Sequence, residues 1–143
     1  MDGFFNGKRA AGHGGNLWRV DRQGNSWSNP RRLPALINSS TSVFSPSIAR
    51  DGSLYFMRPD ETTGRFRLYV AQWQDDHYLL PAPLPFSTGA RMDVDPAVDP
   101  DKRFLIFGSS RVPAAAIDLF IVFRTKDSGG SGAYGDDCEL ARL

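Results

Sequence analysis

One interval recurs along this chain and limits the folds that it can adopt. Leu17, Leu68 and Leu119 begin three similar apolar segments and lie 51 positions apart in both steps. A fixed period of this length indicates a repeated supersecondary unit, because each copy has to bury its apolar face against a neighbouring copy. Further residue pairs keep the interval of 51, namely Pro30 with Pro81, Leu33 with Leu84, Pro34 with Pro85, and Phe56 with Phe107.

Each copy of the repeat is expected to contain four short strands. An Asp51-Gly52 turn separates the first two strands of the central copy, and Asp-Gly between apolar runs is a strong hairpin signal because Gly tolerates a positive φ. The third strand alternates apolar with other residues in the two-residue period of a pleated surface. Several prolines follow and suit an outer edge strand. The four strands of the central copy are predicted over residues 44–49, 53–57, 66–73 and 78–84.

A four-stranded repeat of about 50 residues has the size of one β-propeller blade. We therefore predict an all-β chain of four-stranded antiparallel blades, about two to three in number, that form an incomplete ring because a closed propeller has at least four blades. Closing the ring would take further blades or another chain. Residues 1–37 are expected to hold the last strands of one blade, 38–88 a complete blade and 89–127 the first strands of the next. Residues 128–143 are expected to be either a Gly/Ser-rich tail or the start of a truncated blade.

Two segments carry a family resemblance. Residues 46–56 read PSIARDGSLYF and are followed by LYV at 68–70, and residues 96–107 read PAVDPDKRFLIF and are followed by DLFI at 118–121. These segments resemble the TolB-type β-propeller repeats, whose core reads approximately P-x-x-S-P-D-G-x-x-L-Y-F and then D-L-Y-V. The sequence departs from that core at Ala49-Arg50, where Ser-Pro is usual, and at Lys102, where Gly is usual. The resemblance implies the fold and a periplasmic or secreted setting, but it does not identify a ligand.

Composition excludes several classes of partner. The 17 Lys and Arg against 16 Asp and Glu give a net charge of +1 without a basic stripe, so no nucleic-acid partner is predicted. Arg31-Arg32 is the only adjacent arginine pair, and we interpret it as a solvated strand end. A single cysteine, Cys138, does not allow an intrachain disulfide or a cysteine zinc cluster. No apolar run approaches the length of a membrane span. The chain itself shows no signal peptide and does not determine a compartment.

The connections on one face of the repeats are the expected ligand site. In a blade, the connection between consecutive blades and the connection from the second to the third strand share a face, and ligands tend to bind loops that rigid sheets hold in place. Mixed charges on such loops suit a polar partner, either a peptide or a glycan. The predicted ligand face consists of Arg58, Asp60, Arg65, Arg91, Asp93, Asp95 and Arg111.

Residues 93–101 hold four aspartates, which raises a calcium hypothesis because hard cations prefer carboxylate oxygens. The stretch lacks the turn glycine and the terminal glutamate of a calcium loop, so no metal is predicted, and no cofactor or catalytic residue is predicted either.

The leading hypothesis is a non-catalytic module, part of a longer protein, that binds or scaffolds a protein or peptide. The alternatives are a carbohydrate-binding or glycosidase-like propeller and a propeller that docks substrates for a larger hydrolase.

Overall fold

A computed structural model describes residues 2–7, 15–112, 116–124, 134 and 138–143. These residues form strands, turns and loops, and no helix is present among them. The strands are β1 (Gly3–Gly7), β2 (Asn16–Val20), β3 (Arg22–Gln23), β4 (Ser26–Trp27), β5 (Arg31–Arg32), β6 (Phe44–Ile48), β7 (Leu54–Pro59), β8 (Phe66–Ala71), β9 (Trp73–Gln74), β10 (His77–Tyr78), β11 (Ala82–Pro83), β12 (Asp93–Val98), β13 (Phe104–Ser109), β14 (Asp118–Phe123) and β15 (Glu139–Arg142).

Three antiparallel sheets follow one another along the chain. The first sheet has the order β1-β2-β5, the second β6-β7-β8-β11 and the third β12-β13-β14-β15. The short hairpins β3–β4 and β9–β10 lead from the third to the outermost strand of the first two repeats. None of the described sheets closes into a barrel. The predicted fold class is confirmed: the described chain is all-β and consists of small antiparallel sheets, two of them four-stranded, none of which closes into a barrel.

The strands of the central repeat lie close to their predicted positions. The first two strands end or begin within two residues of prediction, and the Asp51-Gly52 turn separates them. The predicted third and fourth strands are each interrupted, because residues 73–78 leave the sheet as the β9–β10 hairpin before β11 returns to pair with β8. Asp75 and Asp76 form the tip of that hairpin with φ values of 48° and 61°.

The fourth strand of the third sheet corrects the expectation for the end of the chain. Residues 139–142 were expected to lie in a tail or to open a truncated blade, but they form β15 and pair with β14. Residues 128–133 and 135–137 of the expected Gly/Ser-rich tail lie outside the described residues. The third sheet therefore has the same four-stranded order as the second.

The outermost strands of all three repeats keep one register. Leu33 N–H donates to the Leu17 carbonyl at 3.0 Å, Leu84 to Leu68 at 2.9 Å, and Leu143 to Leu119 at 2.9 Å. The first two pairs are 16 positions apart in sequence and the third pair is 24 apart, so the last connection is 8 residues longer. The adjacent residues pair in the same way, as Trp18 with Arg32, Tyr69 with Pro83, and Phe120 with Arg142.

Apolar residues between successive sheets form the core. We call the face of a sheet that packs on the following sheet its forward face, and the opposite face its backward face. The forward face of the second sheet, with Tyr55, Leu68 and Val70, packs in one cluster with the backward face of the third, with Phe107 and Val122. Side chains alternate between the two faces because successive residues of a strand point to opposite sides.

The junction between the first and second sheets repeats this packing. Leu17 and Leu33 on the forward face of the first sheet join a buried cluster with Leu54, Phe56 and Tyr69 on the backward face of the second. Leu17, Leu54 and Phe56 are fully buried. Both junctions are therefore built by the forward face of one repeat and the backward face of the next.

Candidate functional site

Two arginines of the predicted ligand face lie on aromatic rings of their own sheets. The Arg58 guanidinium carbon is 4.3 Å from the Tyr69 ring centre, and that of Arg111 is 5.2 Å from the Phe107 ring centre. Arg111 Nη2 also donates to the Phe86 carbonyl at 2.6 Å. A cation over an aromatic face is attracted by the ring quadrupole. Arg58 and Arg111 therefore hold the fold together as well as lying at this face.

Two carboxylates of the predicted ligand face are also built into the structure. Asp93 is 1% exposed and accepts hydrogen bonds from the Ser87 and Ser109 hydroxyls at 2.7 and 2.6 Å and from Arg111 at 3.1 Å. Asp60 accepts from the Thr62 and Thr63 backbone N–H groups, at 3.0 and 2.9 Å. These partners satisfy most of the acceptor capacity of the two carboxylates.

The contacts of Asp60 lower the pKa of its carboxyl below the ordinary value. The hydrogen bond from the Thr63 N–H contributes most, and the Arg67 guanidinium at 3.0 Å adds to it. Burial acts in the opposite direction and is outweighed. Asp60 therefore stays ionised and holds the turn that it begins.

Three residues of the predicted ligand face remain exposed, namely Arg65, Arg91 and Asp95. Asp95 accepts a hydrogen bond from the Ser45 hydroxyl at 2.5 Å, which links the first strands of two neighbouring sheets. The structure thus brings the predicted connections together, through pairs such as Thr63 Oγ1 donating to the Gly89 carbonyl at 3.0 Å. It leaves only these three side chains of the set open to a ligand.

The acidic stretch does not gather its carboxylates. Asp93 faces Ser87, Ser109 and Arg111, whereas Asp99 accepts from Arg103 at 2.8 and 2.9 Å. Among the described residues, no three His, Cys, Asp or Glu side chains come together as a cation site.

A cleft that the sequence did not predict opens between the first and second repeats. Its volume is about 350 Å³, and it lies where β5 and the following loop of the first repeat meet the β9–β10 hairpin of the second. Apolar groups form much of its wall and charged groups its rim. The lining residues are Arg19, Arg31, Arg32, Leu33, Pro34, Leu36, Trp73, Asp76, His77 and Tyr78.

Arg19 is the central cation of this cleft. Its Nε donates to Asp21 at 2.6 Å, its Nη2 donates to Asp2 at 2.7 Å, and its guanidinium carbon lies 5.5 Å from the Trp73 ring centre. Burial disfavours the charge, but the hydrogen bond to Asp21 and the attraction of Asp2 outweigh it and raise the pKa of Arg19. Arg19 therefore joins the two repeats across the cleft.

Trp73 and Tyr78 form an aromatic wall of the cleft. Their ring centres are 4.7 Å apart in an edge-to-face arrangement. Burial raises the pKa of Tyr78 to about 12, although Arg19 acts in the opposite direction. The phenol therefore stays neutral at physiological pH.

Arg31 is the open cation of the cleft. It is 65% exposed at its side chain, and its Nη2 pairs with Asp21, the carboxylate that also accepts from Arg19. A guanidinium has five N–H donors. Among the described residues the contact with Asp21 uses only Nη2, so the Nε and Nη1 donors remain for a ligand oxygen.

The cleft could not be predicted from the sequence, because its two sides are far apart in the chain. The Arg31-Arg32 pair was interpreted as a solvated strand end, and both residues are indeed exposed in β5. Only the packing of the hairpin at Trp73 and His77 against the first repeat turns this strand end into the rim of a cleft. Trp27 and Tyr78 lie 51 positions apart, and this recurrence of an aromatic residue was the one sequence signal at the hairpin, where it indicates packing.

Comparison of the sequence with protein-family models found no matching family, and comparison with curated proteins found no significant match. In the part of the chain that the structure describes, no helix is long and apolar enough to cross a membrane.

Proposed function

We propose that this chain is a non-catalytic β-propeller repeat module of the TolB type that binds a peptide segment of a protein partner in the cleft between its first two repeats. The observation that carries the proposal is the cleft itself, in which the exposed Arg31 guanidinium stands beside an apolar wall that includes Leu33, Pro34 and Trp73. The repeat frame and the TolB-type motif support the propeller assignment and its periplasmic or secreted setting.

The chemistry of the cleft favours a peptide with one apolar side chain next to a carboxylate. An apolar side chain gains free energy by leaving water for the wall, and a carboxylate gains charge-assisted hydrogen bonds from a guanidinium that matches its geometry. Sites of a few hundred cubic ångströms that combine apolar walls with a small number of polar groups are typical of ligand binding.

A glycan suits the same cleft less well. Sugars bind proteins by stacking on open aromatic faces, but the Trp73 ring already faces Arg19 at 5.5 Å and Tyr78 at 4.7 Å. A carbohydrate-binding or glycosidase-like propeller therefore remains the alternative that the binding test must separate. A propeller that docks substrates for a hydrolase domain would use the same cleft for its peptide.

The test is a chemical-shift titration of the isotope-labelled chain with three probes. These are the acetylated, amidated tripeptide Glu-Leu-Glu, its neutral counterpart Gln-Leu-Gln, and the neutral trisaccharide cellotriose. We expect the acidic peptide to shift the Trp73 indole N–H and the His77 amide, and to bind more tightly than the neutral peptide because Arg31 contributes to binding.

A matched pair of variants locates the site. Arg31→Gln should weaken binding of the acidic peptide by roughly tenfold, which corresponds to about 1.4 kcal/mol. Arg65→Gln removes another exposed cation, one on the predicted ligand face, and should leave binding unchanged. Shifts confined to residues 58–65 and 87–95, or loss of binding in Arg65→Gln alone, would place the site on the predicted ligand face instead of in the cleft. Binding of cellotriose without binding of either peptide would support the carbohydrate alternative.

A further inference from the structure

Equivalent leucines of the three repeats differ sharply in exposure. Leu17 and Leu68 are 0% exposed, whereas Leu119 is 53% exposed at the same repeat position. Their hydrogen-bonded partners behave alike, since Leu84 is 0% and Leu143 is 59% exposed. Residue type and strand pairing are shared by Leu17, Leu68 and Leu119, so the greater exposure of Leu119 arises from packing. A following sheet covers the forward faces of the first two repeats, and among the described residues none covers that of the third.

At the other end of the series of sheets, equivalent phenylalanines on the backward faces also differ in exposure. Phe56 and Phe107 are 0% exposed on the backward faces of the second and third sheets, while Phe5 is 38% exposed on that of the first. Each ring sits opposite an aromatic partner in the same register, which for Phe5 is Trp18. The backward face of the first sheet is thus uncovered in the described structure.

Each of these end faces carries several exposed apolar side chains. On the forward face of the third sheet, Leu119 and Phe123 lie four residues apart on the same side of β14 and are 53% and 42% exposed. On the backward side of the first repeat, Phe5 of β1 and Trp27 of the β3–β4 hairpin are 38% and 50% exposed, and a Cβ built at Gly3, on the same face as Phe5, would lie 3.8 Å from the Trp27 ring. Single exposed apolar residues are ordinary, but contiguous apolar patches mark interaction surfaces.

We infer that the forward face of the third sheet in one copy of this chain packs on the backward face of the first sheet in a second copy. The two internal junctions show which surfaces fit, because each joins a forward face to a backward face with apolar residues at the same repeat positions. The contact between copies continues that series. It is head-to-tail, with two different surfaces, and does not involve the peptide cleft.

Surface variants with matched controls test this inference on the full chain. Leu119→Lys with Phe123→Lys disables the forward face, and Phe5→Lys with Trp27→Lys disables the backward face. Using lysine at both ends keeps the altered faces mutually repulsive. Leu80→Lys serves as the control, because Leu80 is 81% exposed and belongs to neither face. Circular dichroism and thermal melting establish that each variant is folded before its mass is compared.

Sedimentation equilibrium measures the outcome. We expect the weight-average mass of the unaltered chain and of Leu80→Lys to rise above the chain mass of 15.8 kDa as concentration increases. Each face variant alone should stay at the chain mass. An equimolar mixture of the two face variants should again form a complex of two chains, because one intact forward face then meets one intact backward face.

Three results would overturn the inference. The unaltered chain could remain at the chain mass at all concentrations, which would show that the end faces do not bind each other. Either face variant could associate as strongly as the unaltered chain, which would indicate contact between like faces or another surface. The mixture of folded variants could stay at the chain mass, which would exclude the head-to-tail contact.

Discussion

Arg58 and Arg111 occupy the same place in two successive repeats, although they are 53 positions apart in a chain whose repeat interval is 51. Arg58 lies over the stacked rings of Phe56 and Tyr69, and Arg111 lies over the equivalent rings of the next repeat. Each also donates to a carbonyl of the preceding connection, at Leu36 for Arg58 and at Phe86 for Arg111. The two repeats thus make the same contact between sheet and connection with arginines at two different repeat positions.

Removing Arg111 should cost more stability than removing Arg58. Arg111→Ala leaves Asp93, a 1% exposed carboxylate, without its cation, and breaking such a pair costs about 3 kcal/mol or more. Arg58→Ala removes a cation-π contact and side-chain packing, for which we expect about 1–2 kcal/mol. Urea denaturation of both variants measures the difference. Equal losses, or a loss below 1 kcal/mol for Arg111→Ala, would contradict a structural role for the Asp93 pair.

Stability should fall in acid partly because of Asp60. Its folded-state pKa lies below that of the unfolded chain, so its contribution to stability is present above the unfolded value near 4 and is lost as the pH falls below it. Asp60→Asn should therefore lower the melting temperature at pH 7 and flatten its decline between pH 5 and pH 3. The unaltered chain, melted over the same pH range, is the reference for this comparison. An unchanged pH profile in Asp60→Asn would argue against the hydrogen bonds to Thr62 and Thr63.

The turn at Gly52 should not accept a side chain. Gly52 has a φ of +88°, and a Cβ there would lie 2.9 Å from the Trp73 Cβ. Gly64 has a φ of +71° with open space around it. Gly64→Ala should cost roughly 1 kcal/mol for the left-handed backbone alone, and Gly52→Ala should cost about 1–3 kcal/mol more because of the contact with Trp73. Chemical denaturation compares the two, and equal costs would contradict the packing of the turn against the hairpin.

The repeat frame predicts unequal effects for chemically identical changes. Leu68→Ala removes a fully buried side chain between two sheets and should cost about 2–5 kcal/mol. Leu119→Ala, at the same repeat position, removes a side chain that is 53% exposed and should cost less than about 1 kcal/mol. Thermal and urea denaturation at low protein concentration, where association does not contribute, provide the comparison. Similar losses for both changes would show that the two positions are not differently covered.

The interval of 51 predicted the strands of the second sheet and the inner strands of the third, because turns and alternation repeat with the backbone. It missed β15 because an 8-residue longer connection shifts that strand out of the frame. A signal was present, since residues 140–143 read LARL where the earlier outermost strands read PRRL at 30–33 and PAPL at 81–84. Pairing of Leu143 with Leu119 required the register that only the folded sheet supplies.

The candidate sites were less predictable than the fold. Arg58, Asp60, Asp93 and Arg111 were selected as charged loop residues, but their main contacts are with buried rings, hydroxyls and backbone groups of the same connections. The direction in which a charged side chain points depends on its neighbours in space, which sequence spacing does not specify. The departure from glycine at Lys102 did not change the turn, because Lys102 adopts a φ of 58° where the equivalent Gly52 has 88°.

Cross-strand nuclear Overhauser effects test the repeat architecture most directly. In an antiparallel pair that exchanges no hydrogen bonds, the two Cα atoms are about 4.5 Å apart and their Hα atoms give a strong effect. Three such effects are expected, between Trp18 and Arg32, Tyr69 and Pro83, and Phe120 and Arg142. Observation of all three would establish three repeats in one register. Absence of the effect between Phe120 and Arg142, with the other two present, would contradict the assignment of β15 as the fourth strand of a third repeat.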